Sequence, residues 1–248
     1  MTRVIKIGGN EMSAPGFLEE LAAQLARLAA EGPLVVVHGG GQDIAALQTR
    51  LGLAPIKVDG LRVTDAASLA AAEMALSGHT NKQVVRALLA AGLDAVGLSG
   101  VDGGLLRCRK RPHPTVDLGL VGEVTAVRAG LLRRLMDDGI TPVISPISLG
   151  QDGQTYNVNA DEAAGAIAAA LPADALDFVS NVPGVLADGQ RLPALTPDAA
   201  EALIRDGVIT GGMIPKVRTA LDALARGVPR VRIVDLAGLG GGGGTVFS

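Results

Sequence analysis

One cysteine, Cys108, occurs among 248 residues, which excludes an internal disulfide and an all-cysteine metal site. The three histidines, His38, His79 and His113, are widely scattered, and the zinc pattern H-E-x-x-H is missing. So are G-x-x-x-x-G-K-[ST] and G-x-S-x-G, so this is neither a P-loop nucleotide enzyme nor a hydrolase with a nucleophile elbow. No apolar run approaches the ~20 residues that span a bilayer. The first residues read as a strand rather than a cationic segment followed by an apolar one, so no secretory leader is expected. A net charge of −3 argues against nucleic acid or an anionic membrane as the main partner. These absences leave a cytoplasmic enzyme as the expectation.

What is present is a chain that can bury a large core, with 48% hydrophobic and 19% charged residues. Strand and helix signals alternate. Strands are expected at Val4–Ile7, Leu34–His38, Ala95–Leu98, Thr141–Ser145, Leu176–Ser180 and Val231–Val234. Helices are expected at Phe17–Ala30, Gln42–Leu51, Ala66–Leu76, Lys82–Ala91, Asp161–Ala170 and Met213–Arg226. This βα rhythm predicts a mostly parallel sheet covered by helices. Two regions break it: Leu105–Val127 reads as β-ribbons and Leu149–Asn157 as a hairpin around Asp152–Gly153. The length suits one large α/β domain or two small ones. Two lobes, 1–172 and 173–248, sharing one continuous sheet are expected.

Glycine marks the candidate site. Gly8–Gly9 follows the first strand, and His38-Gly39-Gly40-Gly41 follows the second and opens a helix. Glycine lets backbone approach an anion closely, and a helix start offers free N–H groups and a positive dipole end. Each cluster alone could be a plain turn. Two of them at the ends of the first two strands favour a phosphate site, because ligands of open α/β sheets collect outside the carboxyl ends of strands. The tail Gly240–Gly244 matches dinucleotide spacing with Gly238, but no helix follows it. It reads as a floppy loop before a last strand, Thr245–Phe247.

Charged residues narrow the chemistry. Lysine occurs five times against seventeen arginines. Lys6 ends the first strand and Lys216 follows Gly211-Gly212-Met213 at a helix start, where an ammonium can reach a phosphate. Arg62, in Gly60-Leu61-Arg62-Val63-Thr64-Asp65, offers a planar fork for a carboxylate, or else a surface ion pair. Asn157-Val158-Asn159-Ala160-Asp161 could orient a polar substrate or merely cap a helix. His38 reads as a packed or hydrogen-bonded structural residue, and Cys108 as a residue of a β-ribbon.

Taken in order, Val4-Ile5-Lys6-Ile7-Gly8-Gly9, His38–Gly41, Gly60–Asp65, Asn157–Asp161 and Gly211–Lys216 resemble the amino acid kinase family across essentially the whole chain. Within it they are most similar to the branch acting on N-acetyl-L-glutamate in arginine biosynthesis. The resemblance implies a three-layer α/β/α sandwich around a central, mostly parallel open sheet with β-hairpin elaborations. The N-terminal lobe would bind the amino acid and dimerise, and the C-terminal lobe would bind nucleotide. It further implies phosphoryl transfer from ATP to a side-chain carboxylate, with Mg2+ held mainly by the phosphates. Lys6 and Lys216 would neutralise the moving phosphoryl group, and Asp161 would hold both lysines in register. Gly8, Gly9, Gly40 and Gly41 would donate N–H groups, Arg62 would clamp the α-carboxylate, and Asn157 with Asn159 would hold the acylated end. Ser180, Asn181, Gly184, Gly211 and Met213 would lie along the nucleotide.

Asn181 departs from the aspartate expected there and is similar to kinases of carrier-protein-linked 2-aminoadipate. The basic stretch Arg107, Arg109, Lys110 and Arg111 reads as a solvated loop face or a rim for such an acidic carrier. A non-catalytic nucleotide or amino-acid sensor is a further alternative. The resemblance also implies a homodimer, and, with three residues before the first strand element where arginine-inhibited members of the family carry an extra helix, little inhibition by arginine is expected.

Overall fold

A computed structural model describes residues 1–9 and 11–248. In chain order the first half runs β1 (Arg3–Ile7), α1 (Phe17–Ala29), β2 (Leu34–His38), α2 (Gly41–Arg50), β3 (Lys57–Val58), β4 (Leu61–Arg62), α3 (Ala66–Glu73), α4 (Asn81–Ala90) and β5 (Ala95–Ser99). It continues with β6 (Leu106–Lys110), β7 (Val121–Val127), α5 (Ala129–Asp137), β8 (Thr141–Ser145), β9 (Ile147–Gly150), β10 (Thr155–Val158) and α6 (Ala160–Ala170). The remainder is β11 (Ala175–Val179), β12 (Leu186–Ala187), β13 (Gln190–Arg191), β14 (Ala194–Leu195), α7 (Pro197–Arg205), α8 (Met213–Ala225), β15 (Val231–Val234), α9 (Leu236–Leu239) and β16 (Thr245–Phe247).

Eight strands form one sheet in the order β14-β16-β15-β11-β1-β2-β8-β5. The run from β15 to β5 is parallel throughout, and β16 pairs antiparallel with β15 at the far side. The sheet passes without a break from β1 to β11, in register from Arg3↔Ala175 to Ile7↔Val179. Its strands are apolar on both faces because helices cover both. Val4, Val35, Val37, Leu176 and Phe178 belong to the core that includes α6 and α8 residues, and Ile5, Ile7, Val36 and Val179 to the core shared with α1 and α4. This is the expected α/β/α sandwich.

Three features differ from expectation. The two helices anticipated on either side of residue 80 are continuous, joined by a π-helical stretch, Met74–Thr80. Leu76 and Thr80 of this stretch pack against Gly40. The ribbons and hairpin close into a four-stranded barrel, β10-β7-β6-β9. The glycine-rich tail loop is pinned rather than floppy: the Arg232 guanidinium donates to the carbonyls of Gly243 (3.1 Å) and Leu239 (3.0 Å).

Candidate active site at the carboxyl edge of the sheet

Alternation along β1 sets the direction of Lys6. Ile5 and Ile7 face α1, so Val4 and Lys6 face the helix layer containing α6. There Lys6 meets Asp161 in the first turn of α6, with Nζ 2.6 Å from Oδ1. Lys6 is only 7% exposed, so a nearby carboxylate is what lets this cation sit in a buried strand. Asn159 caps the same helix, its Oδ1 accepting the N–H groups of Asp161 (2.8 Å) and Glu162 (3.3 Å). The side-chain amide of Asn159 remains available to the cleft it lines.

The two glycine loops touch. A Cβ built on Gly9 would lie 2.6 Å from the Gly40 nitrogen and 2.8 Å from that of Gly41. Glycine at position 9 is therefore required for the β1 loop to approach the N-terminus of α2. The result sets Gly9 against the Gly40 and Gly41 nitrogens at a helix start, an arrangement suited to an oxyanion, while the Gly8 N–H is bonded to the Val179 carbonyl (3.4 Å).

Lys6, Gly40, Gly41, Arg62, Asn157, Asn159 and Asp161 line one cleft of about 190 Å³. Arg62 is buried at the end of the β3–β4 hairpin; its guanidinium donates to Gln48 Oε1 and to the Gly41 carbonyl (2.8 Å). Burial lowers its pKa from the ordinary value. Asn157 donates to Thr64 Oγ1 at 3.3 Å. An oriented guanidinium, two amides, glycine N–H groups and an ammonium thus converge from both sides of one cleft, which is what a polar acid needs for placement beside a phosphate.

Lys216 approaches from α8. Its Nζ donates to the Ser180 hydroxyl at 3.0 Å, at the end of β11. Burial lowers the pKa of its ammonium, as does the charge of Lys6, while Asp161 and Glu11 oppose the fall. Asp161 therefore senses both lysines but pairs with Lys6 alone, since no Lys216–Asp161 contact falls within 4.0 Å. The direct contact of Lys216 in this structure is the Ser180 hydroxyl. Asn181 sits beside Ser180, whereas Gly184 packs against Thr245 and Gly211 is exposed. Met213 packs at the start of α8. Neither these three nor Gly8, Gly9, Ser180, Asn181 and Lys216 line the cleft that holds Lys6 and Arg62.

Residues 1–235 match the sequence profile of the amino acid kinase family. The chain belongs to that family. It is 56% identical over 239 residues to the acetylglutamate kinase of Roseiflexus castenholzii, covering 96% of this chain and 91% of the relative. It is 55% identical over 241 residues to that of Chloroflexus aurantiacus, covering 97% and 94%. The crystal structure of smu.665 from Streptococcus mutans superposes with a TM-score of 0.84 at 31% identity, over 94% of each chain.

Two residues of this family member escape a reading of its sequence. Gln48, fully buried, links Arg62 to Ser68; a polar residue four positions after buried Ile44 was the available signal. Glu11 folds back against Gly8 and accepts the Asn181 N–H at 3.1 Å, and no periodicity or spacing points to it. His38 is structural, as expected. Its Nδ1 bonds the Gly39 carbonyl (2.8 Å) and its Nε2 faces the Asn81 amide (3.1 Å). Burial lowers its pKa to about 4, so the ring is neutral. Cys108 is buried in the barrel, where desolvation above all pushes the thiol up to about 12; it is no nucleophile at neutral pH.

Proposed function

We propose that this chain transfers the γ-phosphoryl group of ATP to the side-chain carboxylate of N-acetyl-L-glutamate, giving N-acetyl-L-glutamyl 5-phosphate and ADP. The observation that carries the reading is the Lys6–Asp161 pair at the junction of two glycine loops, in one cleft with buried Arg62. The names of relatives 49–56% identical support the acceptor.

The chemistry asks little of acid or base. A side-chain carboxylate with a pKa of roughly 4.3 is already ionised at neutral pH. Its oxygen attacks γ-phosphorus as the bond to the bridging oxygen breaks, and ADP leaves with that electron pair. Catalysis is then positioning plus charge neutralisation. Arg62 holds the α-carboxylate, and Asn157 and Asn159 hold the acylamino end. Lys6 and the amides of Gly8, Gly9, Gly40 and Gly41 receive charge on the transferring group. Lys216, fixed by Ser180, serves the nucleotide side, with Asn181, Gly184, Gly211 and Met213 along the nucleotide. A magnesium ion, when bound, supplies further neutralisation of the phosphates. Among the described residues no cluster of three ligating side chains exists to cage one, which suits an ion carried by phosphates, water and at most one or two carboxylates.

The lobes 1–172 and 173–248 divide these tasks between acceptor and nucleotide. A carrier-linked acceptor is not favoured by the names of the relatives; of the basic ribbon, Arg109, Lys110 and Arg111 are paired with Glu123, Asp117 and Glu162, while Arg107 has no ion pair among the described residues. Assembly as a homodimer belongs to the same reading. Light scattering should give twice the chain mass. The deciding assay is Mg·ATP-dependent ADP release with N-acetyl-L-glutamate, the product trapped as its hydroxamate. Absence of hydroxamate with nucleotide bound would sink the reading.

A further inference from the structure

Glu11 presents a puzzle of charge. It opens the turn after the first glycine loop and is 9% exposed. One oxygen, Oε1, accepts the Asn181 N–H. The other, Oε2, is shut off from solvent and has no partner among the described residues. It lies so close over Gly8 that a Cβ built there would collide with it. A buried carboxylate oxygen without a donor is costly and calls for a physical reason.

Its surroundings supply one. Lys216 feels the charge of Glu11 as well as those of Lys6 and Asp161. Two ammonium groups and two carboxylates thus share this corner of the site. Asp161 commits Oδ1 to Lys6 at 2.6 Å, whereas Glu11 Oε2 is a fully buried anionic oxygen with no donor among the described residues. A bare polyphosphate entering over Gly8 would be repelled by it. A divalent cation between them turns repulsion into attraction, and magnesium is commonly held by one or two carboxylates together with phosphates and water.

We infer that Glu11 is the carboxylate presented to the divalent cation that arrives with the nucleotide, directly or across one water, and that it makes the site select metal-complexed over bare nucleotide. This rests on the nucleotide-binding part of the reading above.

Calorimetric titration of ADP, in Mg2+ and separately in EDTA, tests it on the intact protein and on Glu11→Gln, which keeps an acceptor for the Asn181 N–H. ADP binding should be tighter with Mg2+ in the wild type. Glu11→Gln should weaken Mg·ADP about tenfold or more while bare ADP binds as before or tighter. Equal weakening of both forms would make Glu11 a loop lock and overturn the inference, as would no change in either. If the wild type binds neither form, the nucleotide reading fails with it; if it binds both and the ratio is unmoved in the variant, Glu11 alone is misassigned. Should the amide variant not fold, Glu11→Asp, which keeps the charge on a shorter arm, should also lose preference for Mg·ADP, and an unmoved ratio there counts against the inference. Mn2+ in place of Mg2+ adds a spectroscopic arm: the electron paramagnetic resonance signal of protein-bound Mn·ADP should differ between wild type and Glu11→Gln, and identical spectra would overturn the assignment.

Discussion

Lys6 and Asp161 form a two-residue device whose parts cannot be removed independently. In the proposed reaction, Lys6→Met deletes the ammonium that faces the transferring phosphoryl group. At ~4 Å and an effective dielectric of ~20, that attraction is about 4 kcal/mol, or about three powers of ten in rate. The same change strips Asp161 of its partner at 2.6 Å. Its carboxylate, with a side chain 21% exposed, then faces the phosphates unpaired. At ~6 Å this repulsion adds about 3 kcal/mol, so the single variant should lose about five powers of ten in kcat/KM. Adding Asp161→Asn removes the repulsion while leaving the attraction missing. The double variant should therefore be about 100-fold faster than Lys6→Met alone. It should also melt higher, because the single variant buries an uncompensated charge. ADP release and hydroxamate formation measure the first, thermal unfolding the second. A double variant no faster than Lys6→Met would refute the reasoning, because the two residues would then act separately.

Further outcomes follow from neighbouring groups. Arg62→Lys keeps the charge but loses the fork held by Gln48 and the Gly41 carbonyl. The KM for N-acetyl-L-glutamate should rise about 10²-fold while that for ATP stays within a few-fold, and equal shifts in both would place Arg62 outside the acceptor site. His38 has an unfolded pKa of 6.5 and a folded pKa of about 4. Its neutral-ring stability is full above pH 6.5 and is lost as pH falls toward 4. Between pH 7.5 and 5 the wild type should lose about 2 kcal/mol more than His38→Gln in urea unfolding, and parallel losses would contradict the buried neutral ring. Burial and the Lys6 charge lower the pKa of Lys216, so the alkaline fall of kcat/KM should begin below the 10.5 of a free lysine, and Lys216→Arg should push that limb to higher pH.

How much was legible depended on whether a residue's reason for being there was local. The glycine pairs after β1 and β2 could be read because close backbone approach leaves a mark in composition. Lys6 could be read because an isolated charge breaks an apolar strand. Helix α7 was missed although Thr196 accepts the Ala199 N–H and Pro197 follows at the first position, a start signal that was present. Helix α5 offered less, since Arg128 at its N-cap makes no side-chain capping bond. Barrel closure was out of reach, because β10–β7 and β6–β9 join segments that are not neighbours in sequence. Glu11 was out of reach for a related reason: its partner, the Asn181 N–H, lies 170 positions away.

The same sheet that hides these long-range contacts makes the site rigid where charge must be placed. Lys6 stands on β1 and Ser180 follows β11, and these strands are paired up to Ile7↔Val179. Lys216 is tied to Ser180, so its ammonium is referenced to Lys6 through backbone hydrogen bonds rather than through a loop. The acceptor side differs: Arg62 comes from a two-residue strand of a hairpin outside the main sheet, held to α2 by Gln48 and Gly41. Under the proposed function, charge neutralisation would thereby be built into the paired seam of the sheet, while placement of the acid would be delegated to an appended hairpin. A change of acceptor specificity can accordingly arise in Gly60–Asp65 without disturbing the pair of lysines, and the reverse separation is not available to a substitution in β1.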